Sequence, residues 1–197
     1  MVDVKALVTQ AQNGNVQAFE RLVLTYQDRV YGLCYRLAGN HADAQDLAQE
    51  TFVRAYQALR KFRQEADFGT YLHRIAVNLW LNQQKKNHAS LSLDDLVLTE
   101  EGTLPRQVAG DDPPPDQAVE DGELKTLVWQ AFRTLGPEHQ AVLVLREMET
   151  LSYEEIAGRL GVAPGTVKSR LSRARDALKK ALCHLAKQKG FELPGLE

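Results

Sequence analysis

Near the C-terminal end, hydroxyls and cations alternate with regularly spaced apolar residues. Thr166, Lys168, Ser169, Ser172 and Arg173 fall on the side of a helix away from Val167, Leu171 and Ala174. Arg and Lys can read guanine edges or hold phosphates, and short hydroxyls let a helix approach a base or a backbone closely. Arg170, Arg175, Lys179 and Lys180 flank this set, where phosphate contacts suit them better. A basic amphipathic helix whose charges only face water has the same pattern, so the residues before it must decide. Those residues are Ser152-Tyr153-Glu154-Glu155, which has the form of a capping box, then Gly161, Val162-Ala163 and Pro164. Helix, tight turn and basic helix in that order are the grammar of a helix-turn-helix, whose second helix enters the major groove.

A second group mixes cations with rings. Arg60, Lys61, Phe62, Arg63 and Phe68 precede a long helical pattern on which Tyr71, Arg74, Asn78 and Lys85 share a face. Rings on which bases stack, beside positive charge that follows a backbone, suit single-stranded nucleic acid. Asn78 is the candidate for a base-edge contact, because an amide both donates and accepts. The competing reading places Phe62, Phe68 and Tyr71 in a hydrophobic core. A third group, Asp43, Asp46, Glu50, Val53 and Gln57, forms an acidic face with an apolar residue inside it, which on geometry alone could equally be a solvated surface.

Catalytic constellations are not evident. No glycine-rich phosphate loop, no His-Glu-x-x-His helix and no persuasive nucleophile and base pair occur in the sequence, so the chain is not expected to be an enzyme or to need a cofactor. Cys183-His184 is not expected to hold a metal, since adjacent helical positions point about 100° apart and no second pair exists. Cys34 lies on an apolar stripe and reads as a buried free thiol.

The elements that must position these groups are helical, because every strong apolar repeat has a period near 3.6. Asn15 can cap a helix with Val16, Phe19, Leu22, Val23, Tyr26, Val30, Leu33, Cys34 and Leu37 inward. Gly39-Asn40 ends it and caps a second helix packing Ala44, Ala48, Phe52, Ala55 and Leu59. A third runs from about Phe68 to Lys86 with Leu72, Ile75, Ala76 and Leu79 buried. After Asn87 the pattern dissolves, with Gly110-Asp111-Asp112-Pro113-Pro114-Pro115 excluding an interior helix. From Asp94 to Glu123 there are ten acids against one base, whereas Pro164 to Lys189 holds eight bases against one acid, an asymmetry hidden by the net charge of −2. Helical patterns resume with Leu124, Leu127, Val128, Ala131 and Leu135, then a helix from Gly136-Pro137 through Met148. The expected fold is all-α: a helical domain over residues 1–87, a flexible acidic Pro-rich linker over 88–118, a helix-turn-helix domain over 119–189 and a tail over 190–197.

Two stretches resemble a known family. Leu145-Arg146-Glu147-Met148-Glu149-Thr150-Leu151-Ser152-Tyr153-Glu154-Glu155-Ile156-Ala157, followed by Gly165-Thr166-Val167-Lys168-Ser169-Arg170-Leu171-Ser172-Arg173-Ala174-Arg175, is similar to region four of the extracytoplasmic-function sigma factors of bacterial RNA polymerase. Asp46-Leu47-Ala48-Gln49-Glu50-Thr51-Phe52 and Phe68-Gly69-Thr70-Tyr71-Leu72-His73-Arg74-Ile75-Ala76-Val77-Asn78 resemble region two. The resemblance implies that the second domain reads the minus-thirty-five promoter element. It also implies that the ring-bearing segment melts and reads the minus-ten element by capturing an unstacked base. The acidic face, with Gln49 beside it, would dock on the clamp helices of the polymerase core, and the linker would lie in the core's cationic channels. Anti-sigma proteins hold many family members inactive, so such a partner is admitted by the resemblance. Four positions depart from the usual pattern: Thr150 for Gly, Lys168 for Arg, Tyr71 for Trp and Asn82 for Asp; Lys85-Lys86 also stands for an Arg pair. Lys168 is a point charge where Arg would present a fork, and Tyr71 stacks less area than Trp.

A stand-alone helix-turn-helix regulator is the alternative and would explain the second domain alone. The longest purely aliphatic run, Ala141-Val142-Leu143-Val144-Leu145, is far shorter than the roughly 20 residues a membrane helix needs, and Met1-Val2-Asp3-Val4-Lys5 carries no apolar signal segment. No direct membrane insertion and a cytoplasmic location are therefore expected.

Overall fold

The computed structural model describes residues 3–94 and 122–190, with side chains described outside 88–94. Every regular element among them is helical, as the 3.6-residue repeats require. The chain divides into two compact units, Met1–Asn82 and Gln83–Glu197.

The first unit begins with a helix that apolar periodicity over so short a stretch did not reveal, α1 (Val4–Gln12), capped by Asp3 accepting from the Ala6 N–H at 3.1 Å. α2 (Val16–Ala38) is capped by Asn15 and stopped by Gly39 at φ 82°, a left-handed conformation that suits glycine. Asn40 then caps α3 (His41–Ala58), so two adjacent residues end one helix and start the next. Leu22, Val30, Leu33 and Leu37 of α2 are wholly buried against Ala44, Leu47 and Ala55 of α3 and against Leu7 and Val8 of α1. Each such Leu contributes roughly 1.5–3 kcal/mol by leaving water. Val16, expected inward, is the first residue of α2 and is 53% exposed.

A 3₁₀ turn (Leu59–Lys61) leads to a loop and then α4 (Phe68–Asp94). Asp67 caps α4, its carboxylate accepting from the Gly69 N–H at 2.8 Å and the Thr70 N–H at 3.3 Å. α4 continues past Lys86 into the stretch read as linker, which holds neither Gly nor Pro before Asp94. Its buried stripe is rotated from the expected one: Leu72, His73, Ala76, Val77 and Trp80 are buried, while Ile75 and Leu79 are half-buried. The large indole of Trp80 sets the inward face. The rest of the linker and the tail from 191 lie outside the described residues.

In the second unit α5 (Gly122–Arg133) and α6 (Pro137–Leu143) are joined by a turn that Gln140 secures, its amide donating to the Leu135 carbonyl at 2.8 Å. The helix continues as one π-turn (Val144–Met148), then α7 (Tyr153–Leu160) and α8 (Pro164–Lys189). α8 is the spine, packed by α5, α6 and α7. Val167, Leu171 and Ala174 are buried as expected, whereas Leu178 and Leu185 are half-buried beside Leu127, Ala131 and Leu182. Trp129 stacks on Phe132 at 5.2 Å, with the Arg133 guanidinium 4.7 Å over the indole.

Candidate functional site

The recognition element is built from local rules. The Ser152 hydroxyl accepts from the Glu155 N–H at 3.2 Å and the Glu155 carboxylate accepts from the Ser152 N–H at 2.8 Å, the reciprocal capping box. The backbone bond from Ser152 holds the Glu155 carboxyl below the usual range. Gly161, at φ 66°, ends α7 in the left-handed region, and Pro164 opens α8 with no side chain capping that end. With Val167, Leu171 and Ala174 inward, Lys168, Ser172 and Arg173 are exposed and Thr166 and Ser169 half-exposed, as the spacing predicts. Ser169 donates its hydroxyl to the Thr166 carbonyl at 3.0 Å.

Arg170 and Arg175, read as flanking phosphate contacts, have carboxylate partners inside their own domain. Arg170 meets Glu138 of α6 at 3.1 Å, and Arg175 meets Glu147 of the π-turn at 2.7 and 3.1 Å. Glu147 raises the Arg175 pKa further. Both guanidiniums tie α8 to the helices behind it, while Lys168, Arg173, Lys179 and Lys180 are exposed. Residue types alone could not separate the two pairs, since their partners lie 28 or more positions away.

The ring-bearing segment divides differently from either reading of it. Phe68 is 2% exposed and packs edge-on against Tyr26 at 5.5 Å, so it belongs to the core and presents no face for stacking. Phe62 and Tyr71 stay half-exposed and stack on each other at 4.4 Å. Burial raises the Tyr71 pKa. Arg60 and Lys61 of the 3₁₀ turn, Arg63 of the loop, and Arg74, Asn78 and Lys85 of α4 are all exposed. Arg63 lies 4.0 Å from Glu65, with both side chains about four-fifths in solvent, an ion pair of little strength.

On α3, Asp43, Asp46, Gln49 and Val53 are exposed and Glu50 is half-buried. Asp43 is tied to the cap, accepting from the Asn40 side-chain amide at 2.7 Å, and Glu50 accepts from the Arg54 Nε at 2.6 Å. Beside this face α2 and α3 leave a groove of about 830 Å³, lined by Val16, Phe19, Phe52, Val53 and Tyr56 among others. Val16 and Phe52, expected inward from their spacing, line this groove instead. Tyr56, whose ring lies 4.9 Å from that of Phe19 at a tilt of 57° and which is 44% exposed, is the signal in the sequence that points to it.

Residues 22–89 match the Sigma-70 region 2 family and residues 125–178 match Sigma-70, region 4. The ECF RNA polymerase sigma factor SigW of Bacillus subtilis is 38% identical over 180 residues, covering 91% of this chain and 96% of that protein. This chain belongs to the extracytoplasmic-function sigma factors. The RNA polymerase sigma-H factor of Pseudomonas aeruginosa is 36% identical over 187 residues, covering 92% and 95%. In fold, the chain is similar to the sigma factor RpoE from a structure of its complex with the anti-sigma factor NepR from Bartonella quintana, with a TM-score of 0.62 and 24% identity over 83% of this chain and 96% of that one. In this sigma factor the loop, the acidic face of α3 and all but the last turn of α4 fall within region 2, and α7 with the first half of α8 falls within region 4. α1 lies outside both matched regions.

Proposed function

We propose that this sigma factor docks on core RNA polymerase through α3, holds duplex promoter DNA with α8 and holds opened DNA with the loop after α3 and the outer face of α4. The observation that carries the reading is one chain bearing both a stacked, half-exposed Phe62–Tyr71 pair, with Lys61 and Arg63 exposed on either side of Phe62 in the chain, and a helix-turn-helix whose second helix exposes Lys168 and Arg173. Thr166, Lys168, Ser169, Ser172 and Arg173 approach the minus-thirty-five element, with Arg170 and Arg175 behind them as braces. Bases of the minus-ten element stack against Phe62 and Tyr71 while Arg60, Lys61, Arg63, Arg74 and Lys85 follow the phosphates, and Asn78 offers its amide to a base edge. Phe68 supports that surface from the core. Extruding a base costs a few kcal/mol, which stacking at roughly 1–3 kcal/mol per base offsets.

Asp46, Gln49 and Val53, with Asp43 and Glu50, form the polymerase-docking face, and the adjoining apolar groove extends it. Bond formation between nucleotides is left to the polymerase, and the factor acts where that enzyme is, in the cytoplasm. Among the described residues no helix is long and apolar enough to cross a membrane, and no cluster of three or more His, Cys, Asp or Glu could hold a metal. An Asp46→Ala, Gln49→Ala variant tests the docking face. It is expected to lose core-polymerase binding in a pull-down while retaining the helical signal of the folded chain. Retention of core binding would remove α3 from the interface and favour a regulator acting on DNA alone.

A further inference from the structure

α1 lies before the matched region 2, yet it holds the loop proposed to take the opened strand. Gln12, its last residue, donates from one side-chain nitrogen to the Leu59 carbonyl at 3.0 Å and to the Phe62 carbonyl at 2.7 Å. Two carbonyls only accept, which fixes the amide with its nitrogen toward the loop. Its oxygen accepts from the Gln64 side-chain nitrogen at 3.1 Å, and the same nitrogen donates to the Thr9 hydroxyl at 3.2 Å. Gln64 sits at φ 55°, in the left-handed region that a residue with a side chain enters at a cost. Such a conformation persists where the surroundings over-determine it, and here the two bonds that Gln64 donates to Thr9 and Gln12 and the two that Gln12 donates to the Leu59 and Phe62 carbonyls do so.

We infer that α1 is a splint for the strand-binding loop, and that Gln12 and Gln64 are positioning residues for DNA opening. This rests on the reading of the loop as the minus-ten surface. The pinned carbonyl of Phe62 sets the ring that stacks on Tyr71, and pinning the turn on its inner side leaves Lys61 and Arg63 outward. Untied, the loop samples other conformers, and the apparent affinity for DNA falls by the fraction of time spent in the competent one. Neither residue touches DNA in this scheme, so its loss acts on strand capture and spares core assembly.

The experiment uses holoenzyme assembled from core polymerase and the full chain. Its probe is a labelled oligonucleotide carrying the non-template strand of a promoter that the wild-type holoenzyme transcribes. Gln12→Met keeps length and removes all three bonds; it is expected to lower oligonucleotide affinity about tenfold with core affinity unchanged. Unchanged oligonucleotide affinity would overturn the splint. If Gln12→Met reduces the yield of folded protein, the Gln64 pair decides. Gln64→Ala should lose several-fold in affinity and Gln64→Gly, which enters φ 55° freely, should lose less, whereas wild-type affinity in both overturns the inference. A Lys61→Ala, Arg63→Ala control separates the two levels. If it keeps full affinity, the loop is not the strand site; if it loses affinity while the glutamine variants do not, the splint alone fails.

Discussion

Thr150 is a β-branched residue held at φ 53°, where the chain leaves the π-turn for α7. The geometry is demanded by the closure of that turn. The Glu149 N–H reaches the Val144 carbonyl at 3.0 Å and the Leu151 N–H reaches the Leu145 carbonyl at 3.1 Å, while Arg146 donates to the Leu151 carbonyl at 2.7 Å. A residue with a Cβ in the left-handed region costs about 1–2 kcal/mol, and β-branching places Thr toward the upper end. Glycine removes that strain but gives back about 0.5–1 kcal/mol through the greater freedom of its unfolded chain. Thr150→Gly should therefore stabilise the second unit by about 1–1.5 kcal/mol. With a urea slope of roughly 1–3 kcal/mol per molar, the midpoint should rise by about half a molar. Trp129, buried in that unit, reports the transition when Trp80 is replaced by Phe to silence the first unit. Thr150→Ala, which loses the branch but keeps a Cβ at positive φ, should gain less than glycine. A midpoint unchanged or lowered by glycine would refute the reasoning, since strain would then not be stored at this residue.

Gly69→Ala tests the start of α4: an added Cβ would stand 2.8 Å from the Asp67 carboxylate that caps the helix and 3.0 Å from the Tyr26 ring, so a loss of about 1–3 kcal/mol in the first unit is expected by thermal unfolding. Tyr71→Phe removes a buried hydroxyl that lacks a hydrogen-bond partner among the described residues, and stability should be unchanged or slightly raised while Phe62 stacking is retained. Glu155 has its folded pKa depressed, so its contribution is full above the ordinary carboxylate pKa and is lost as pH falls through the folded value. Glu155→Gln should flatten that acid-side decline in urea midpoints of the second unit measured across pH, and an identical decline in the variant would place its source elsewhere.

Local signals make most of the fold legible in the sequence. The Ser152–Glu155 box, the Gly39–Asn40 junction and the Gly161–Pro164 turn each act within a few residues, so residue type and spacing suffice. The outward set on α8 follows from the same helix period. What escaped depends on distant partners. Gln12 meets the loop 47 to 52 residues away, Arg175 meets Glu147 28 residues away, and Phe68 is buried because Tyr26 of α2 covers it. α1 escaped because Leu7, Val8 and Ala11 are too few to define a period. Cys34, read as a buried thiol from its stripe, is fully buried, and that burial pushes its thiol pKa up to about 12.

On the proposed function, this chain supplies promoter choice and opening to core RNA polymerase. Run-off transcription on fragmented host DNA with purified bacterial core polymerase, with and without the chain, tests it most directly. The account predicts discrete transcripts that depend on the chain and share two upstream elements, and that vanish with Asp46→Ala, Gln49→Ala. A chain that binds duplex DNA but yields no start with core polymerase would contradict it.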